Sequence, residues 1–306
     1  MKTVISFIFI LLIVHGGYAQ QEPQYTQYML NEMAINPAVA GKDSYTDVRS
    51  NNRYQWIGVT DAPRTYMLTL SAPFKKRNMG IGANIYTDIV GPTRRVGISL
   101  AYAYHIKLTQ KTRMSLGLSA GIQQWGIDGH KLVLHDEGDS HLLIQYQTRT
   151  VPDLGAGIYV HNDTWYIGFS APQLYQSPIR LYKGVDNKGT LVTHLLLNGA
   201  YKFKLGDDFK LEPSVMVKYA KPAPVKFDGG LRLIYQEQIW LGASYRHNDA
   251  FTALIGFMYK NYLMIGYSYD FTTTNIRKYS TGTHELMLGL RFSKGQSKHW
   301  QDDSQL

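Results

Sequence analysis

The residues best suited to chemistry in this sequence are its histidines and a set of charged side chains at alternate positions. His105, His161, His194 and His284 each fall inside an alternating segment, and the alternation puts His105 and His194 on the polar face. A histidine acts as a general base near neutral pH, but it needs a nucleophile or an orienting carboxylate beside it. No Gly-x-Ser-x-Gly, His-Glu-x-x-His, P-loop or dinucleotide fingerprint accompanies these four. A histidine partnered by solvent or by a tyrosine describes them better than a catalytic one, and neither enzymatic activity nor a cofactor is expected. The ten histidines show no metal-ligand spacing. His135, Asp136, Glu137 and Asp139 gather donors for a divalent cation, although a solvated acidic loop is the better description. The charged set comprises Lys210, Glu212, Lys218, Lys226, Asp228, Arg232, Asp270, Glu285 and Arg291. Lining one channel, these residues would form either an ion pathway or a cross-strand ladder. The ladder is favoured, since opposite charges on neighbouring strands stabilise one another by about 0.2–1 kcal/mol per pair.

Strands must position such residues, because the dominant signal is a period of two. Ile98, Leu100, Tyr102, Tyr104 and Ile106 alternate with Gly97, Ser99, Ala101, Ala103 and His105. Leu286, Leu288, Leu290 and Phe292 alternate with Glu285, Met287, Gly289 and Arg291. Neighbouring side chains on a strand point to opposite faces, so each run has one apolar face and one small or polar face. In a membrane barrel the apolar face meets lipid and the other lines the lumen. On that register Leu288→Arg should damage assembly, whereas Met287→Gln should be tolerated. Pro213 on the lipid face implies a bulge, because proline cannot donate to the ladder.

Fourteen strands are expected, near 44–55, 62–72, 79–88, 94–106, 112–124, 152–161, 164–171, 190–204, 208–219, 224–235, 238–247, 250–260, 262–272 and 282–292. Every second connection is short, as at Leu108–Lys111, Leu205–Asp207, Gln236–Glu237 and Asn261, while Gly126–Val151 and Pro172–Gly189 are long. Short turns at one end and long loops at the other are the asymmetry of an outer-membrane barrel. Phe203, Phe209, Tyr235, Tyr259 and Tyr262 flank the short turns as an interfacial girdle would.

The ends of the chain agree with export. Lys2, the apolar run Ile5–Val14 and the small residues Gly17 and Ala19 form a cleavable secretory signal, too short for a stable transmembrane helix. Cleavage before Gln20 leaves 31 basic against 23 acidic residues, dispersed along the chain rather than gathered into an arm, so nucleic acid is not an expected partner. Cysteine is absent, which closes the lipoprotein route. The expected organisation is a signal peptide at 1–19, an N-terminal segment at 20–43, a barrel at 44–292 and a polar periplasmic tail at 293–306. Both termini are expected on the periplasmic side.

The segment Gln24–Gly41, QYTQYMLNEMAINPAVAG, resembles the N-terminal signature of the PorP/SprF family of type IX secretion-associated outer-membrane proteins. Further stretches are similar to the same family, among them Arg53–Trp56, Ala62–Leu70, Gly80–Pro92, Gly97–His105, Leu211–Tyr219 and Phe227–Leu233. Glu32-Met33 stands where Asn-Pro is usual, and Val39 where an aromatic is usual. The resemblance implies an outer-membrane barrel that serves type IX secretion. Some members partner large secreted adhesins, including gliding adhesins, whose C-terminal domain they help to export or hold at the surface. Other members belong to the core machinery, so other secretion components are implied partners. A passive porin-like channel for small solutes is the alternative function. Within the signature Gln24, Tyr25, Tyr28, Asn36, Pro37 and Gly41 are the expected site residues, forming either a plug or a partner-docking segment. The aromatic residues need a surface to cover them, and the small inner face of the third to fifth strands leaves room.

Overall fold

In the computed structural model, residues 23–74, 78–131, 146–179 and 189–292 are described. The leader Met1–Ala19, the stretch Gln20–Glu22, the tail Ser293–Leu306 and the acidic group His135, Asp136, Glu137 and Asp139 lie outside them.

The alternating segments form β1 (Thr46–Tyr54), β2 (Arg64–Pro73), β3 (Met79–Val90), β4 (Thr93–Lys107), β5 (Arg113–Asp128), β6 (Tyr146–His161), β7 (Trp165–Ala171) and β8 (His194–Tyr201). They continue as β9 (Phe203–Leu205), β10 (Phe209–Ala220), β11 (Lys226–Tyr235), β12 (Ile239–Arg246), β13 (Ala250–Tyr259), β14 (Leu263–Thr272) and β15 (Thr283–Phe292). Each strand pairs antiparallel with its neighbours, and β1 pairs with β15, Thr46 opposite Phe292. The sheet is therefore closed, which removes every edge that would leave backbone groups unpaired in lipid. Because β8 and β9 are two pieces of one barrel strand, separated at Lys202, the barrel has 14 strands. Among the described residues no helix is long and apolar enough to cross a membrane.

The break at Lys202 answers the question raised by Pro213. The pairings Ser214–Ala200 and Leu211–Phe203 keep one continuous register, and β10 pairs with β11 through Pro213–Leu231 without an extra residue. Pro213 thus interrupts the ladder, where its missing N–H leaves the β8–β9 strand unpaired, and does not bulge it.

The register expected from the alternation holds. Leu100, Leu118, Ile255, Ile265 and Leu288 point outward, with exposures of 40–67%, while Ser115, Glu212, Ser268, Asp270 and Glu285 point inward and are buried. The exposed aromatics Phe203, Phe209, Tyr235, Tyr259 and Tyr262 ring the short-turn end, with Phe209 and Tyr235 4.9 Å apart. Phe227, Phe251 and Phe271 expose their rings near the other end. Two connections at that end, Gly91-Pro92 and His247–Asp249, are themselves short, so the loop asymmetry comes chiefly from the connections after β1, β5, β7 and β14. β4, β5 and β6, of 15, 16 and 16 residues, are the longest strands and raise one side of the wall at this end.

Candidate functional site

The inner wall is shaped around residues 23–45. Three single-turn 3-10 helices, Tyr28–Leu30, Glu32–Ala34 and Pro37–Val39, fold this segment into the lumen. Such a path requires the wall to come very close, and the glycines allow it. A Cβ on Gly117 would lie 2.2 Å from the Ala38 nitrogen, and one on Gly157 would lie 2.0 Å from Asn36 Oδ1. A side chain at either position would expel the segment.

All six expected site residues belong to this arrangement, each doing a different job. Gln24 lines the open part of the lumen. Tyr25 is buried against Met67 and Tyr86. Tyr28 is buried with its hydroxyl 3.5 Å from Ser214 Oγ. Asn36 caps the third helical turn by accepting from the Ala38 N–H at 2.9 Å, and its amide donates to the carbonyls of Ile158 (3.1 Å) and Phe169 (3.3 Å), clamping the segment to β6 and β7. Pro37 occupies the first position of that turn, where its lack of an N–H costs nothing. Gly41 adopts φ +66° and donates its N–H to Ser71 Oγ at 2.8 Å, in a space where a Cβ would meet Gly80 Cα at 2.5 Å.

The segment is held most tightly by two members of the inward charged set, Glu285 and Asp270, together with Arg53, Arg246 and Thr26, which the sequence did not single out. Glu285 accepts from the Thr26 N–H (2.8 Å), the Gln27 N–H (3.1 Å), Asn51 Nδ2 (3.2 Å) and Arg53 Nη1 (3.1 Å). Asp270 accepts from Arg53 Nη2 (2.7 Å), Arg246 Nη1 (3.2 Å), Thr252 Oγ1 (2.9 Å) and Thr26 Oγ1 (3.0 Å). Arg53 and Arg246 in turn donate to Thr26 Oγ1 at 2.8 and 3.0 Å. Buried charges of this kind are tolerable only when each is paired and its remaining hydrogen-bonding sites are filled, and here segment atoms help to fill them. Glu32, one of the departures from the family signature, accepts from Tyr159 Oη at 2.9 Å and pairs with Lys42. Sequence reasoning missed Arg53, Arg246 and Thr26 because β1 shows no apolar alternation and because a lone arginine near a strand end resembles a solvated rim residue.

Four more of the inward charges form ion pairs, Arg232–Glu212 at 2.6 Å, directly across β10 and β11, and Lys218–Asp228 at 3.1 Å, while Arg291 lies over the Tyr45 ring. His105 Nδ1 lies 2.7 Å from Ser115 Oγ and His194 Nδ1 lies 2.9 Å from the Val192 carbonyl. His161 also faces inward, beside Tyr159, whereas His284 faces outward, bonded to Tyr267 Oη at 2.6 Å. Among the described residues no group of three or more potential metal ligands assembles.

Two apolar clusters fill the short-turn half of the lumen. Tyr28, Met29 and Leu30 pack with Met216, Trp240, Met264 and Met287 on one side. On the other, Met33, Ala38, Val39 and Ala40 pack with Ala101, Ala103, Tyr159 and Tyr166. Met287 is fully buried in the first cluster, so the expectation that Met287→Gln would be tolerated is overturned: the position faces inward, but it faces an apolar core instead of water. The other half is a cup with an empty volume of about 1340 Å³, counting its open mouth. Pro23, Gln24, Tyr25 and Tyr28 form its floor; Asn84, Ser99, Ser119 and Gly155 form one wall and Lys218, Tyr219 and Lys226 another.

A family model described as type IX secretion system membrane protein PorP/SprF matches residues 17–290. Among curated proteins the sequence finds no match. Similar solved structures include the CymD monoaromatic hydrocarbon channel, 10% identical with a TM-score of 0.50, covering 92% of this chain and 96% of that one. The translocator domain of the autotransporter NalP from Neisseria meningitidis is 11% identical with a TM-score of 0.47, covering 88% and 96%. A Pseudomonas aeruginosa FadL homologue is 10% identical with a TM-score of 0.45, covering 81% and 89%. At 10% identity the likeness to the CymD channel speaks to the barrel fold alone.

Proposed function

The chain belongs to the PorP/SprF family of type IX secretion system membrane proteins, and on that footing we propose that it assists the export or surface anchoring of a secreted adhesin-like protein, with residues 20–43 acting as a built-in plug. The observation that carries this reading is the division of the lumen. One half is filled by the N-terminal segment packed against the wall, and the other is an open cup floored by that same segment. A passive channel needs a continuous wetted path, and two apolar clusters across the lumen argue against one at rest. A blind cup suits a receptor better: it offers a concave surface with amide, hydroxyl, lysine and tyrosine groups and a closed floor. The short turns are placed at the periplasm and the long connections outside, which puts the mouth of the cup at the cell surface. The partner expected there is a type IX cargo or the C-terminal domain of an adhesin, handed over by other components of the secretion system.

The test is capture from the native outer membrane. A tagged copy extracted in mild detergent should recover a large secreted protein, and recovery should fall when the cup is crowded by Ser119→Trp. Recovery of lipid alone would favour the channel reading.

A further inference from the structure

The outward wall of β1 breaks the apolar belt. Its outward positions are Thr46, Val48, Ser50, Asn52 and Tyr54. Ser50 stands between Leu68 of β2 and Leu288 of β15, and Asn52 stands between Tyr66 and Leu286. Leu68, Leu286 and Leu288 are exposed to the surroundings of the barrel as lipid-facing residues should be. Ser50 lies at mid-strand, four residues from either end of β1, with Asn52 one repeat nearer the long connections.

Polar groups at this depth have no water to bond, and an unpaired amide in hydrocarbon is costly. Asn52 Nδ2 donates to Ser50 Oγ at 3.1 Å. Among the described residues no further partner exists for the Asn52 carbonyl oxygen, its second N–H or the Ser50 hydroxyl proton. Neither side chain is long enough to reach the headgroups as a lysine would.

We infer that the outward wall of β1 is a contact surface for a second copy of this chain, joined through the Asn52 amide. Membrane symmetry and the chemistry of the amide together select this partner. Two copies inserted in the same direction are related by an axis along the membrane normal, so a residue near the axis meets its own copy at the same depth. A carboxamide carries both a donor and an acceptor, so two of them satisfy each other reciprocally; a lone cation or carboxylate would not. Leu68, Leu286 and Leu288 surround the pair with surface that one barrel can press against another. Tyr54 and Tyr66, edge to face at 5.7 Å, give the contact a firm rim.

The chain contains no cysteine, so Ser50→Cys supplies its sole thiol. Oxidation of outer membranes carrying Ser50→Cys should yield a disulfide-linked homodimer, and Leu197→Cys, outward on the opposite wall, should yield essentially none. Adding Asn52→Leu to Ser50→Cys should lower the dimer yield by roughly fivefold, the loss expected for two membrane-depth hydrogen bonds. Asn52→Val in the same background carries the same expectation, should the leucine variant fail to fold. Equal cross-linking from Leu197→Cys, a yield untouched by removing the amide, or an adduct with a different protein would each overturn the inference.

Discussion

At the scale of single residues, burial and pairing decide what each side chain contributes. Glu285 is fully buried and receives four donors, two of them backbone N–H groups of the segment. Glu285→Ala leaves Arg53 and both N–H groups short of an acceptor, a loss on the order of 3–5 kcal/mol for a broken buried pair. The expected result is a lower unfolding midpoint in urea, together with protease cleavage near Gln24–Asn31 that the parent resists. Intact protection of that stretch would mean that Glu285 does not hold it. Leu288 and Met287 form the second test. Leu288→Arg should cost about 2–4 kcal/mol because it places a charge on the lipid face. Met287→Gln should cost about 1–3 kcal/mol because it puts an amide into the apolar cluster without a partner. Both variants should therefore shift the urea midpoint, and an unperturbed Met287→Gln would contradict the packed cluster around Tyr28 and Trp240.

At the scale of elements, the strands were readable because lipid imposes its pattern on nearly all of them, β1 being the exception. Fourteen expected segments became 14 barrel strands, most within two residues of their expected ends. The larger misses have physical causes. β6 begins at Tyr146, six residues earlier than expected, because Thr148 and Thr150 lie outward beyond the apolar belt and carry no apolar alternation. β8 starts later, at His194, because residues 173–179 fold back over β6, with Ser177 Oγ donating to the Pro152 carbonyl at 3.2 Å, and the Leu191 N–H donates to the Ser177 carbonyl at 2.9 Å. The segment's fold was not readable at all, since its three 3-10 turns follow from the wall's shape and not from any period of their own. The turns carry a testable detail. Lys260 and Asn261, with φ +48° and +54°, close the β13–β14 hairpin in the left-handed region, which costs a residue with a Cβ about 1–2 kcal/mol. Lys260→Gly should relieve part of this and raise the urea midpoint, and a lowered midpoint would show that the lysine's contact with the Tyr259 ring outweighs the strain.

At the scale of the whole molecule, we propose a barrel closed from within by its own N-terminal chain. The resemblance carried by Gln24–Gly41 pointed to the segment, and the small inner faces of β3–β5 pointed to a space that needed filling. What the sequence withheld was that Arg53 joins two of the inward charges, Glu285 and Asp270, in anchoring the segment, the two carboxylates coming from strands more than two hundred residues away. Those anchors, Arg53 with Glu285 and Asp270, remain paired with each other when the segment is shortened, so the barrel should survive the loss. Conductance across planar bilayers is the most direct measurement of the central claim. Deleting Glu22–Asn31 removes Tyr28, Met29 and Leu30 from their cluster and should leave a heat-modifiable, β-rich barrel whose conductance rises well above that of the parent. A folded deletion variant that conducts no more than the parent would contradict the plug, and if cargo export failed at the same time the segment would stand as a docking site instead.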